Sequence, residues 1–115
     1  MKKKIVISLL LISNLVYGDG FRDKETRLVD KIKNLKYAKA RPIILKAGYT
    51  PKKNFKLSPF GSAKVLYDKG YIEIGDCADS SPKVPCEFKF NAPSSKILFI
   101  FTEGEGMYIT SAYLE

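Results

Sequence analysis

The sequence predicts an α+β domain: two or three N-terminal helices packed on a four- to five-stranded antiparallel sheet, with one disulfide. Three observations predict it. Apolar residues recur at helical spacing in the first half of the chain. Alternating runs rich in aromatic and β-branched residues fill the second half, joined by links too short for parallel crossovers. Two cysteines, Cys77 and Cys86, lie among those runs.

The chain opens with Met1-Lys2-Lys3-Lys4, continues through the apolar Ile5-Val6-Ile7 and Leu9-Leu10-Leu11-Ile12, and reaches Val16-Tyr17-Gly18. A positive start, a short apolar run and small residues at a cut site predict a signal peptide over residues 1–18, cleaved after Gly18. The rival, a retained anchor, needs roughly 20 apolar residues, and this run is shorter and interrupted by Ser13 and Asn14. No cysteine stands near the cut to carry a lipid.

Cleavage removes 18 of 115 residues and leaves 97, residues 19–115, which suits one domain with a modest core and no transmembrane segment. It also removes Lys2, Lys3 and Lys4, taking the net charge from +8 to +5. The surplus favours anionic partners. Its lysines are dispersed, however, with only Lys52-Lys53 adjacent beyond the signal, the pattern of a solvated surface. In the periplasm or the medium, Cys77 and Cys86 are expected to pair, and closing a ten-residue loop contributes about 2.5–3 kcal/mol. A redox pair would call for Cys-x-x-Cys spacing in a thioredoxin-like context, which is absent.

Along the chain, Leu28, Ile32 and Leu35 line one side of a helix within Phe21 to Leu35, with Asp23 and Glu25 near its start and Lys24, Arg27, Lys31 and Lys33 opposite. Pro42 is tolerated only near a helix start, so a second helix is predicted from about Ala38 through Ala47, ended by Gly48. An extended segment is expected around Phe55 to Leu57, and turn formers at Ser58-Pro59-Phe60-Gly61 precede a short helix over 62–69 closed by Gly70. The succession helix, glycine, tyrosine thus occurs twice, at Gly48-Tyr49 and Gly70-Tyr71, a faint internal echo. Strands are predicted at Tyr71–Ile74, Cys86–Phe90, Ile97–Thr102 and Met107–Leu114. Ile97 to Phe101 is apolar on both faces and reads as the central strand, with Phe88, Phe90, Phe99 and Phe101 as core.

Tyr37-Ala38-Lys39-Ala40-Arg41, Leu45-Lys46-Ala47-Gly48-Tyr49-Thr50-Pro51, Glu73-Ile74-Gly75-Asp76-Cys77, Cys86-Glu87-Phe88-Lys89-Phe90 and the strand end Thr102-Glu103-Gly104-Glu105 together resemble a group of small secreted bacterial domains of unassigned function. There, a Tyr-x-x-Ala-Arg helix ends in Gly-Trp or Gly-Tyr, and a Cys-loop-Cys-x-Phe segment precedes a strand closing near Thr-x-Gly. The resemblance covers about two-thirds of the chain beyond the signal. It implies a fold and no catalytic residue. The loop Ala78-Asp79-Ser80-Ser81-Pro82 stands where that group has a glycine-rich stretch.

Histidine is absent, which removes the commonest general base and metal ligand. Asp76 and Asp79 lack a calcium-loop spacing, and Glu103 and Glu105 flank a turn glycine without an apolar pocket to raise either pKa. No catalytic residue, metal or cofactor is therefore expected. Seven tyrosines and seven phenylalanines are the better lead, because tyrosine offers area with a polar tip. The candidate binding surface is Tyr49, Lys52, Lys53, Tyr71, Lys89, Tyr108 and Tyr113. The expected function is an exported, non-enzymatic module that binds another envelope or secreted protein. The alternative is a basic binder of anionic envelope polymer, peptidoglycan or lipopolysaccharide. An exported chain disfavours nucleic acid.

Overall fold

The computed structural model describes residues 23–115, so the signal peptide expected over residues 1–18 and its expected cut after Gly18 lie outside the described residues. Helix α1 covers residues 23–32, then come α2 (Tyr37–Lys46), β1 (Thr50–Pro51), α3 (Ser62–Asp68), β2 (Ile74–Cys77), β3 (Cys86–Asn91), β4 (Ile97–Glu103) and β5 (Tyr108–Leu114). Three helices pack on a five-stranded antiparallel sheet, the α+β fold that the alternating runs predict. No helix among the described residues is long and apolar enough to cross a membrane.

The sheet is organised around β3. One edge pairs with β4, which pairs with β5; the other edge is divided between β1, opposite Phe90 and Asn91, and β2, opposite Cys86 to Phe88. Segment 34–37 covers the start of β5's outer edge, where Asn34 N–H donates to Ile109 O (2.9 Å) and Ile109 N–H to Leu35 O (2.8 Å).

Both strands at the β1/β2 edge are delivered by the same device, which accounts for the helix-glycine-tyrosine echo. At the end of α2, Tyr49 N–H reaches Ile44 O (3.3 Å) and Gly48 N–H reaches Leu45 O (3.0 Å); at the end of α3, Tyr71 N–H reaches Leu66 O (3.1 Å) and Gly70 N–H reaches Tyr67 O (2.9 Å). These are two Schellman caps, and each needs the left-handed backbone glycine allows: φ is 92° at Gly48 and 109° at Gly70.

The second helix starts at Tyr37, within a residue of the expected start, and Pro42, its sixth residue, leaves the carbonyl of exposed Ala38 without that helical bond. Two expectations are corrected. Residues 55–57 form no strand. Phe55 and Lys56 are a turn, because the β3 edge such a strand would join is already filled by Thr50–Pro51 and Ile74–Cys77. Finally, the strand expected at Tyr71 begins at Ile74, because the Tyr71 N–H is spent on the α3 cap and Ile74 N–H turns back to Tyr71 O (3.1 Å).

Buried Leu28 and Ile32 of α1, Tyr37, Ala40 and Ile44 of α2 and Ala63 of α3 form the core with Phe88, Phe90, Leu98, Ile100, Ile109 and Ala112 from one face of the sheet. Cys77 and Cys86 are directly opposite each other on β2 and β3, bonded and buried on that face. The loop they close is anchored twice more: Asp79 accepts from the backbone N–H and hydroxyl of Ser62 at the start of α3, and Gly104 N–H donates to Lys83 O (2.7 Å).

Two core tyrosines make the fold alkali-sensitive. Burial, then the charge of Glu73, pushes the Tyr37 phenol far above its usual range, and burial followed by Glu25 pushes Tyr49 up to about 12. Each phenol is protonated in the fold after the unfolded chain has begun to ionise. Their stabilisation is complete below pH about 10; that of Tyr49 is lost as pH rises through about 12, and that of Tyr37 declines from about 10 upward without ending there. Ultraviolet difference titration is expected to show these two phenols silent near pH 10 and ionising only with unfolding, and Tyr49→Phe to soften the decline in stability.

Candidate functional site

Three places gather chemistry-bearing side chains. The first is inside. Glu73 is fully buried, and Tyr37 and Arg41, one turn apart on α2, both reach it: Tyr37 OH donates to Oε2 (2.6 Å), and Arg41 donates through Nε to Oε2 (2.7 Å) and Nη2 to Oε1 (3.1 Å). The Tyr37 ring stacks on Phe88 (3.8 Å between centroids), and Tyr71 lies 5.2 Å from the guanidinium, which its bond to Glu73 holds above its usual pKa. The strong donors of this cluster converge on Glu73, with Arg41 Nη2 also 3.4 Å from Gly70 O, so it fixes α2 and the turn before β2.

The second is a cleft of about 590 Å³ between α3, the disulfide loop and the β4–β5 turn, with Val65, Leu66, Val84 and Met107 among its apolar walls. Of its polar side chains Ser62, Asp79, Lys83 and Glu105, the first two are bonded to each other. Among the described residues no group of three or more acids or cysteines converges on a metal position: Asp76 accepts from the Cys77 N–H, and Asp79 caps α3. Glu103 and Glu105 stand at the β4–β5 hairpin tip.

The third is the face of the sheet turned away from the helices, on which no described helix or strand packs. Strand register sets side chains there in rows. Lys52, whose N–H donates to Lys89 O (3.0 Å), continues into Lys89, Phe99 and Tyr113 across four strands; the next row is Asp76, Glu87, Phe101 and Ser111. Tyr113 stacks on Phe99 (5.0 Å) and Phe101 (6.0 Å). Lys89 Nζ lies 5.5 Å from the Phe99 ring and 3.4 Å from Glu87 Oε1. Phe99, Phe101, Lys89 and Glu87 are half-buried and Tyr113 is exposed.

Compared with protein-family models, with curated proteins and with solved structures, the chain finds no match. Of the motif residues singled out in the sequence, Tyr37 and Arg41 bind Glu73, Gly48-Tyr49 caps α2 and Cys77–Cys86 joins β2 to β3.

Of the seven residues nominated from sequence, the structure brings Lys52, Lys89 and Tyr113 into one row. Tyr108, opposite Glu103, is on the same face of the sheet but at the hairpin end of β5, beside Lys36. The other three lie elsewhere: Tyr49 is in the core, Tyr71 packs over Arg41 on the helix side, and Lys53 is in the loop after β1 with Nζ 5.7 Å from the Phe55 ring. Phe99 and Phe101 are not core, and both join the open face. Their signal was in the neighbours: a β4 face flanked by Glu87 and Lys89 on one side and Ser111 on the other has no apolar strand beside it. Glu73, expected only as a strand and motif residue, is buried and partnered, as a lone acid between Ile72 and Ile74 needs to be.

Proposed function

We propose that this chain is an exported, non-enzymatic module that works by protein–protein contact through the open face of its sheet, as an inhibitor, immunity-type factor or envelope-assembly accessory. The observation that carries the reading is the row Lys52, Lys89, Phe99 and Tyr113 with Phe101 beside it: stacked rings left at the surface where a sheet of this kind would otherwise present polar side chains. Aromatic anchors surrounded by charge are the composition of a recognition surface. A complementary partner presents apolar side chains to the rings and an acidic group to Lys52 and Lys89. The Cys77–Cys86 bond supports an oxidising destination, periplasm or medium. Engagement of Glu73 by Tyr37 and Arg41, of Asp79 by Ser62 and of Glu25 by Ser94 supports a role without catalysis.

Affinity capture from a periplasmic extract tests the reading. The wild type is expected to retain one stoichiometric partner, and the Phe99→Ser/Tyr113→Ser variant to lose it while keeping its circular dichroism. Equal capture by both would reject the open face, and recovery of nothing under mild cross-linking would reject protein contact.

One observation favours a second reading, an anionic envelope polymer. Residues 31–67 contain ten lysines and arginines and no acid, and Lys31, Lys33, Lys36, Lys39 and Lys46 are exposed on and between the helices. Cosedimentation with peptidoglycan would then weaken steeply as salt rises, and indifference to salt would reject it.

A further inference from the structure

The loop from Lys52 to Gly61, between β1 and α3, holds its two phenylalanines in water: Phe55 is 86% exposed and Phe60 81%. The loop is anchored. Asn54 N–H donates to Ile72 O (3.4 Å), its side-chain amide donates to Gly75 O (2.7 Å), its Oδ1 accepts from Lys56 N–H (2.9 Å), and Leu57 packs against the core. A polar asparagine and a leucine are thus turned inward while both rings are turned outward, the reverse of how burial sorts asparagine and phenylalanine.

The charge beside Phe55 is positive, and the one carboxylate near Phe60, Asp79, is engaged by Ser62 at the start of α3. Lys53 and Lys56 are exposed on either side of Phe55, with Lys53 Nζ 5.7 Å from its ring, and no acidic residue occurs in sequence between Asp30 and Asp68. Lysine is depleted at protein interfaces, and the positive charge here lacks the mixed pair of the open sheet face, where Lys89 Nζ stands 3.4 Å from Glu87 Oε1. At a lipid surface the same combination is favourable: rings enter the boundary between headgroups and acyl chains while ammonium groups stay hydrated at the phosphates.

We propose that this loop anchors the protein to the surface of an anionic phospholipid bilayer, Phe55 and Phe60 inserting and Lys53 and Lys56 meeting the phosphates. Phe55, Phe60, Lys53 and Lys56 lie outside the open-face row, which the loop meets only at Lys52. Although Lys53 and Lys56 belong to the basic run 31–67, insertion of the two rings goes beyond both readings above and is tested apart from them by Phe55→Ser/Phe60→Ser. The association is reversible, because two rings and two cations fall far short of a membrane span.

Flotation of the full mature chain with phosphatidylethanolamine–phosphatidylglycerol vesicles, against phosphatidylcholine vesicles, tests it. Binding to the anionic vesicles is expected to be about tenfold stronger, and to fall about tenfold in Phe55→Ser/Phe60→Ser and again in Lys53→Ala/Lys56→Ala, with melting temperatures unchanged because all four side chains are exposed. The chain has no tryptophan, so Phe55→Trp supplies a sole reporter whose emission should shift to the blue on anionic vesicles. Failure of the wild type to float, unaltered binding by Phe55→Ser/Phe60→Ser, or a reporter shift with extract protein but none with vesicles would each overturn the proposal.

Discussion

Replacing Arg41 by alanine is expected to destabilise the protein by about 3 kcal/mol, near the lower end of what breaking a buried ion pair costs, because the Arg41 side chain is 23% exposed and the other partner fully buried. For a domain of this size that is roughly a 12–24 °C fall in melting temperature. The cost falls on Glu73. With the guanidinium gone, its carboxylate keeps one strong donor, Tyr37 OH, in a site without water access. Tyr37→Phe removes the other donor at about 1.5–3 kcal/mol, and the two changes should not add, since both act on one carboxylate. Replacing Arg41 and Glu73 by leucine together with Tyr37→Phe removes the buried charge and should cost less than Arg41→Ala alone. Denaturant midpoints at unchanged slope measure these differences. A shift below about 0.5 kcal/mol for Arg41→Ala would remove the cluster from the account of stability.

Opening the disulfide has the second large effect. The Cys77→Ser/Cys86→Ser variant is expected to lose about 2.5–3 kcal/mol, the loop-closure entropy of ten residues, and to melt some 10–20 °C lower. The loop does not detach freely, because Asp79 still caps α3 and Lys83 still accepts from Gly104. Hydrogen exchange should therefore quicken at Ala78 to Pro85, at the first turn of α3 and at the β4–β5 turn together, and leave β4 and β5 protected up to global unfolding. Exchange confined to the loop would contradict this coupling.

Much of the fold was legible because its signals are local. Glycine followed by tyrosine after an amphipathic run marks a Schellman end, and both instances are found; alternation in Cys86 to Phe90 places Phe88 and Phe90 inside. What was not legible depends on partners distant in sequence. Nothing local to Phe55–Leu57 says that the edge of β3 is already occupied. A strand apolar on both faces cannot reveal whether both faces are covered, so Phe99 and Phe101 read as core although only the Leu98 and Ile100 side is. Glu73 reads as a residue of a strand face until α2 is laid across it and its two donors arrive from 32 and 36 residues away. The candidate surface divides the same way. Lys52, Lys89 and Tyr113 come together through register across four strands, whereas Tyr49 and Tyr71 are drawn toward the core by the caps that precede β1 and β2.

Contact through the open sheet face is tested most directly by a photo-reactive phenylalanine placed at Tyr113, with Lys39 on the exposed side of α2 as the control site. Irradiation in the native compartment should give one discrete adduct from position 113 and none from 39, and that adduct should disappear when Lys89→Glu reverses the charge beside Phe99. Adducts of equal yield from both positions, or none from 113, would contradict the account.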